Sequence, residues 1–201
     1  MSARARVTVA WDVDDVLNLL TRACLDLRAR ESKVDVAYDA LVDNPPHAQL
    51  GVPRERYLAS LDDFRRNHFA SLAPNPLAID WFRQHGAAAD HIALTAVPLA
   101  FAPTSAAWVL RHFGAWIRGV HVVPSPRDDD PTAFPAPNKG LALSRFHGPT
   151  ILVDDSPTQL ALARQHGSHA VTYPQPWNQE ARSPREVLAE LTTLIQRISS
   201  S

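Results

Sequence analysis

Short apolar runs that end abruptly in small or acidic residues alternate along this chain with segments of helical periodicity. The runs that predict buried parallel strands are Val7 to Trp11, Ile92 to Leu94, Val120 to Val123, Ile151 to Val153 and Ala170 to Thr172. Helices with start or stop signals are predicted at Leu77 to His85, Ser105 to Phe113, Gly140 to Phe146, Pro157 to His166 and from Ser183 onward. This alternation predicts an α/β fold with a doubly wound, Rossmann-like parallel sheet.

One long stretch interrupts the alternation. Residues 17–74 contain no convincing strand, and their best-defined pieces are helical, at Leu17 to Arg30 and Arg54 to Ala70. We therefore expect a core formed by residues 1–16 and 75–201 and an inserted helical cap formed by residues 17–74. A proline-rich segment, Pro124 to Pro137, is expected to be a loop.

The bulk properties exclude several classes of partner. A chain of 201 residues can bury one good core, and its net charge of -1 gives no global field for a nucleic-acid polymer or an anionic membrane. The single cysteine, Cys24, can form neither an internal disulfide nor a cysteine-rich metal site. Without a long apolar run, the chain is expected to be a cytoplasmic protein; its oligomeric state is left open.

The first apolar run leads into two carboxylates, Asp12 and Asp14. Residues two apart in an extended chain point to the same side, so both are predicted to face one site. One carboxylate of such a pair can attack phosphorus while the other protonates the leaving oxygen and later takes a proton from water. Coulomb repulsion opposes attack by an anion on a phosphate dianion. A cation is therefore expected next to the pair, and Mg2+ is the simplest choice because it binds oxygen ligands. Solvated acidic residues at a strand end are the simpler alternative.

Polar residues also follow or end two other predicted strands. The Thr95 hydroxyl could donate to a phosphoryl oxygen or cap a turn. The adjacent carboxylates of Asp154 and Asp155 repel each other unless a cation neutralises them, or they form an exposed helix cap. Lys139, one of two lysines in the chain, could neutralise the phosphate and these acids, or lie solvated at the surface. Since ligands bind at the carboxyl ends of parallel strands, these residues are predicted to converge.

Taken in chain order, the segments Asp12-Val-Asp14-Asp-Val, Thr95, Lys139 and Asp154-Asp155 resemble the four motifs of the haloacid dehalogenase superfamily over nearly the whole chain. The resemblance implies a Mg2+-dependent phosphatase acting on a small phosphomonoester. By this resemblance, Asp12 is the nucleophile, and Asp14 is the general acid/base and binds the metal through its backbone carbonyl. Thr95 and Lys139 are implied to bind the phosphate. Asp154 is implied to be a direct metal ligand, and Asp155 an outer or alternative ligand. Dehalogenases are expected to lack the second acid, so Asp14 favours phosphoryl transfer.

A narrower resemblance points to a substrate class. The segments Leu94 to Pro98, Trp108 to Gly114 and Leu152 to Pro157 are similar to the 5'(3')-deoxyribonucleotidase family, which implies nucleoside monophosphates as the first substrates to test. The chain departs from the pattern at Asp15, where glycine is common, and at Ala96, where a hydroxyl residue often contacts phosphate. The backbone N–H of Ala96 would then bind the phosphate.

Three other functions share parts of this pattern. A response-regulator receiver also uses aspartates, a threonine and a lysine, but here the acidic doublet comes last in the chain. A phosphomutase would share every core residue, and the sequence does not separate it from a phosphatase. A non-catalytic phosphate-binding regulatory protein would not need all the catalytic positions to be occupied.

The insertion carries two further groups of residues. Its aromatic residues Tyr57, Phe64 and Phe69 could stack on a base, but their helical spacing is more typical of core packing. Its arginines, Arg54, Arg56, Arg65 and Arg66, are expected to form a solvated face because the chain has almost no net charge. Trp177 could fill the sheet edge or border a pocket, and its position does not distinguish the two.

Overall fold

The computed structural model describes residues 6–32, 36–127 and 136–200. Five parallel strands form one sheet in the order β3-β2-β1-β4-β5. The strands are β1 Thr8–Trp11, β2 Asp90–Thr95, β3 Ile117–Val122, β4 Thr150–Asp154 and β5 His169–Thr172. Every predicted apolar run lies in or overlaps a strand, and the predicted doubly wound α/β fold is confirmed.

Seven α-helices accompany the strands in the described residues. They are α1 Leu20–Ser32, α2 Arg54–His68, α3 Pro76–His85, α4 Ala102–Phe113, α5 Lys139–Leu143, α6 Pro157–Gln165 and α7 Pro184–Ser200. The start of α7 has the reciprocal capping expected from its sequence, since the Ser183 N–H donates to Glu186 Oε2 at 2.7 Å and the Glu186 N–H donates to Ser183 Oγ at 3.3 Å. No helix in the described ranges has the length and apolar character that spanning a membrane requires.

The sheet separates two apolar clusters because successive side chains of a strand point to opposite faces. Val9 and Trp11 of β1 belong to the larger cluster, which also contains side chains of α3, α4 and α7. Ala10 belongs to the smaller cluster, which contains side chains of α5 and α6. Helices therefore cover both faces, and only the strand ends are left to form a site.

Several predicted boundaries shift. The helix predicted from Leu17 begins instead at Leu20, because a turn at Val13–Leu17 follows β1. The turn is π-helical in its closing hydrogen bond, from Asn18 N to Val13 O at 3.0 Å, while Asp14 and Asp15 have non-helical backbone angles. The helix predicted over Gly140 to Phe146 ends at Leu143. Of the predicted loop from Pro124 to Pro137, residues 124–127 and 136–137 contain no helix or strand, and the rest lies outside the described residues.

The two ends of the inserted stretch lie side by side. The backbone N–H of Asn75 donates to Leu17 O at 2.8 Å, and its side-chain Nδ2 donates to Val16 O at 2.9 Å. Asn18 and Pro74 form an isolated antiparallel bridge at the same place. The chain thus leaves the sheet after the π-helical turn and returns at the start of α3 through one polar junction.

Candidate active site

Lys139 lies between the ends of two neighbouring strands. Asp12 directly follows β1, Asp154 ends β4, and Lys139 is the first residue of α5. The Lys139 ammonium is 2.7 Å from Asp12 Oδ1 and 2.6 Å from Asp154 Oδ2. Only 1% of the Lys139 surface is exposed and Asp154 is fully buried, so solvent screens these contacts little. The structure therefore brings together three residues that are far apart in the sequence.

Three buried carboxylates form a cluster at this point. One oxygen from each of Asp12, Asp154 and Asp155 lies within 4.8 Å of the others. Burial raises the pKa of Asp12 to about 7, although the nearby Lys139 opposes the shift. Burial, Asp154 and Asp12 together raise the pKa of Asp155 well above its usual range. One lysine does not neutralise this much negative charge, and a set of close oxygen donors fits a hard divalent cation such as Mg2+.

The charge state of Lys139 follows from the same contacts. Burial alone would lower the pKa of its ammonium, but the carboxylates of Asp12 and Asp154 outweigh this effect, so its pKa is raised. Lys139 is therefore a fixed positive charge inside the site. Its position is set by Asn138, whose side chain accepts a hydrogen bond from the Leu141 N–H at 2.9 Å and caps α5.

Asp14 lines the same cavity as Asp12, but its carboxylate is held by other partners. Arg65 Nη2 donates to Asp14 Oδ2 at 2.8 Å, and Asn18 Nδ2 donates to Oδ1 at 3.2 Å. Asp14 lies beyond the last residue of β1, inside the π-helical turn. The turn, rather than the alternation of an extended strand, thus places both acids along one cavity.

Asp15 occupies a backbone conformation that glycine adopts more readily than other residues. Its φ of 63° is in the left-handed region, which Asp tolerates better than most residues. Its carboxylate accepts hydrogen bonds from Thr21 N at 2.8 Å and from Thr21 Oγ1 at 2.6 Å. Burial raises the pKa of Asp15 to about 7 against the effect of these two hydrogen bonds. The side chain therefore fastens the π-helical turn to the start of α1.

The two predicted phosphate binders after β2 differ in their access to the cavity. Ala96 lines it, whereas Thr95 is the buried last residue of β2 and does not line it. Thr95 directly precedes the cavity-lining Ala96 in the chain, and its carbonyl accepts a hydrogen bond from Val123 N at 2.9 Å. Their role in binding phosphate stays a prediction.

A cavity of about 340 Å³ extends from the carboxylate cluster to the inserted helices. Other parts of its wall are formed by Asn44, Pro45, Arg54, Leu58, Leu61 and Arg65 from residues 17–74 and by Ser125, Pro126 and Arg127 after β3. The prediction that Arg65 is solvated is wrong, since only 8% of its surface is exposed. It shares a face of α2 with Tyr57 and Leu61, at four-residue intervals, because this spacing superimposes side chains on a helix. The sequence does carry a signal for this burial, because Arg65 falls in line with apolar residues on one face of a helix.

Two further observations concern the aromatic side chains. Tyr57, Phe64 and Phe69 are buried and do not line the cavity, which agrees with core packing. Trp177 does line it, and its indole N–H donates to Asp155 Oδ2 at 2.7 Å. Asn178 Nδ2 donates to the Asp155 carbonyl at 2.9 Å. The segment after β5 therefore fixes the position of Asp155, which no local sequence pattern indicated.

A scan against protein-family models and a search of curated proteins find no match to this chain. Solved structures with a similar fold are found. A haloacid dehalogenase-like hydrolase from Streptococcus pneumoniae is 14% identical with a TM-score of 0.57, and the alignment covers 92% of this chain and 97% of that one. A haloacid dehalogenase-superfamily hydrolase of subfamily IA from Geobacter sulfurreducens is 16% identical with a TM-score of 0.53, covering 92% and 100%.

The hydrolase YfnB from Bacillus subtilis, whose structure contains magnesium, is 14% identical with a TM-score of 0.58. That alignment covers 96% of this chain and 99% of the Bacillus protein. The agreement includes the parallel sheet and extends over almost the full length of both chains. This chain therefore has the haloacid dehalogenase fold.

Proposed function

We propose that this protein is a Mg2+-dependent phosphatase that hydrolyses a small phosphomonoester through a covalent intermediate on Asp12. The observation that carries the proposal is the buried cluster of Asp12, Asp154 and Asp155 around the ammonium of Lys139, at the carboxyl edge of a parallel sheet. Burying so many charged groups without a function would cost stability. Such costs are typical of catalytic sites.

The residues divide the reaction into two displacements. In the first, a carboxylate oxygen of Asp12 forms a bond to phosphorus, the bond from phosphorus to the ester oxygen breaks, and Asp14 gives its proton to the leaving oxygen. In the second, Asp14 takes a proton from a water molecule whose oxygen bonds to phosphorus. The bond from phosphorus to Asp12 then breaks and inorganic phosphate leaves. Arg65 and Asn18 hold Asp14 in place for both proton transfers.

The remaining groups bind or neutralise the negative charge of the phosphate and the carboxylates. Lys139, together with Thr95 and the backbone N–H of Ala96, would bind phosphoryl oxygens. Mg2+ would be held by the carboxylates of Asp12 and Asp154, by the Asp14 carbonyl, and by Asp155 as a direct or outer ligand. When bound, Mg2+ neutralises the repulsion between the nucleophile and the phosphate.

We also propose that residues 17–74 act as a cap that excludes water from the site. Much of the cavity wall comes from this stretch, and Arg65 of α2 reaches Asp14. A cap that touches the acid/base can link closure to catalysis. Nucleoside monophosphates are the first substrates to test, with Trp177 as the aromatic side chain of the cavity wall that could contact a base.

Hydrolysis of a generic aryl phosphate tests the proposal. The wild-type protein should release phosphate with Mg2+ and stop when the metal is chelated, and Asp12→Asn should lower kcat by at least about a thousandfold with an unchanged circular dichroism spectrum. Asp26→Asn is the matched control, because Asp26 is exposed on α1 and does not line the cavity. Wild-type activity in Asp12→Asn would remove Asp12 as the nucleophile.

A further inference from the structure

The cavity is lined by charges of both signs. Asp12, Asp154 and Asp155 line it, with Lys139 among them. Three arginines, Arg54, Arg65 and Arg127, line the same cavity. A phosphomonoester bound by the metal and Lys139 would therefore share the cavity with these arginines.

Two of the three arginines already pair with carboxylates of the protein. Arg65 binds Asp14, and its Nη1 is 3.6 Å from Asp62 Oδ1. Arg127 Nη1 is 2.7 Å from the other oxygen of Asp62, and its Nη2 donates to Leu58 O at 3.2 Å. Arg65 and Arg127 therefore share one carboxylate, and this network connects α2 to the segment after β3.

Arg54 is different, because it makes no ion pair or side-chain hydrogen bond with any residue in the described part of the chain. It is half-buried and lines the cavity beside the apolar side chains of Leu58 and Pro45. It is also the first residue of the fifteen-residue helix α2, whose amino end carries partial positive charge. In these partly apolar surroundings a guanidinium without a carboxylate partner attracts an anion more strongly than it would in open water.

We propose that Arg54 binds a second anionic group of the substrate, in the same cavity as the transferred phosphate. The substrate is then a phosphomonoester that carries a carboxylate or another phosphate, since both present paired oxygens to a guanidinium. This inference rests on the proposed function and specifies its substrate class. Nucleoside monophosphates have no second anion, so this inference predicts that they are cleaved less efficiently than phosphomonoesters that carry one.

Matched pairs of substrates test the subsite. One member is an ω-carboxyalkyl phosphate or an alkanediol bisphosphate, and the other is the ω-hydroxyalkyl phosphate of the same chain length. The wild-type ratio of kcat/KM within a pair should favour the anionic member by about tenfold or more at one chain length. Arg54→Gln should abolish most of this preference. Arg56→Gln should retain it, because Arg56 is exposed on the same helix and does not line the cavity.

Binding to the Asp12→Asn protein gives a second readout that does not depend on turnover. Calorimetry with Mg2+ should show the same preference for the anionic member, lost in the Asp12→Asn, Arg54→Gln double variant. A wild-type ratio near one at every chain length, or an unchanged ratio in Arg54→Gln, would overturn the subsite. Failure of the generic aryl phosphate assay would instead reject the proposed function, so the two failures are distinct. A preference for carboxylates over bisphosphates, or the reverse, identifies which anion Arg54 binds.

Discussion

Among single residues, His91 shows how burial fixes a charge state in the core. The Trp11 indole N–H donates to His91 Nδ1 at 3.2 Å, so Nδ1 carries no proton. The other ring nitrogen, Nε2, therefore carries the proton and donates to Gly86 O at 3.0 Å. Both hydrogen bonds belong to the neutral imidazole, and burial lowers the pKa of His91 to about 4.

This pKa predicts a loss of stability in acid. Between the unfolded pKa near 6.5 and the folded pKa of about 4, the unfolded chain binds more protons. The contribution of His91 is thus fully present above the unfolded pKa and falls by about 3 kcal/mol as the pH drops through this window. Denaturant unfolding of the wild type and His91→Gln across this range measures it. The pH dependence should be smaller in His91→Gln and unchanged in the control His147→Gln, where the side chain is exposed. Equal slopes for all three proteins would contradict the assignment.

The residues of the site differ in how far sequence could foresee them. Asp12 and Asp154 follow or end apolar strands, and parallel strands place their carboxyl ends on one edge, so their proximity could be predicted. Asp15, Asn18 and Trp177 could not be placed in the same way. The contacts of Asp15 and Asn18 depend on the geometry of the π-helical turn, and Trp177 reaches Asp155 across 22 residues of chain.

At the scale of elements, α2 is attached to the core through buried charge. Arg65 bonds Asp14, and both side chains are largely shielded from solvent, at 9% and 19% exposed. Removing one partner of such a pair leaves the other buried and unpaired, which costs more than the pair itself contributes.

The variant Arg65→Met tests this connection while keeping the length of the side chain. We expect a loss of about 2–3 kcal/mol in the free energy of unfolding and a lower kcat, because Asp14 loses its strongest partner. Arg65→Lys should recover part of both, since it restores the charge. The matched control is Arg66→Met, which removes an exposed pair with Asp63 and, like Arg65→Met, a cation–π contact with Phe101. Arg65→Met with the stability and kcat of the control would show that the pair contributes nothing.

The helices were predicted accurately where the hydrophobic periodicity agrees with the residues that start and stop a helix. The helix predicted at Leu77 to His85 is observed as Pro76–His85, because Asn75 caps it through its side chain. The helix predicted from Leu17 was displaced, since Asn18 accepts from Asp15 N at 3.1 Å and from Leu20 N at 3.0 Å and so ends the turn and starts α1. Hydrogen bonds of this kind, from backbone N–H groups to a side-chain oxygen, compete with helix formation and produce no periodic pattern in the sequence.

For the whole molecule, the doubly wound architecture could be predicted because strands and helices alternate along the chain. The strand order and the connection of Arg65 to Asp14 required the structure. We propose that one buried rim of the sheet holds a divalent cation and the nucleophile, and that residues 17–74 supply much of the remaining cavity wall, including Arg54 and Arg65.

Diffraction from crystals grown with Mn2+ in place of Mg2+ tests this central claim most directly. The account predicts one strong anomalous peak roughly 2–2.5 Å from carboxylate oxygens of both Asp12 and Asp154, with Lys139 beside it. The peak should disappear in Asp154→Asn crystals grown under the same conditions. A peak at another place, or none at a Mn2+ concentration that supports turnover, would contradict the account.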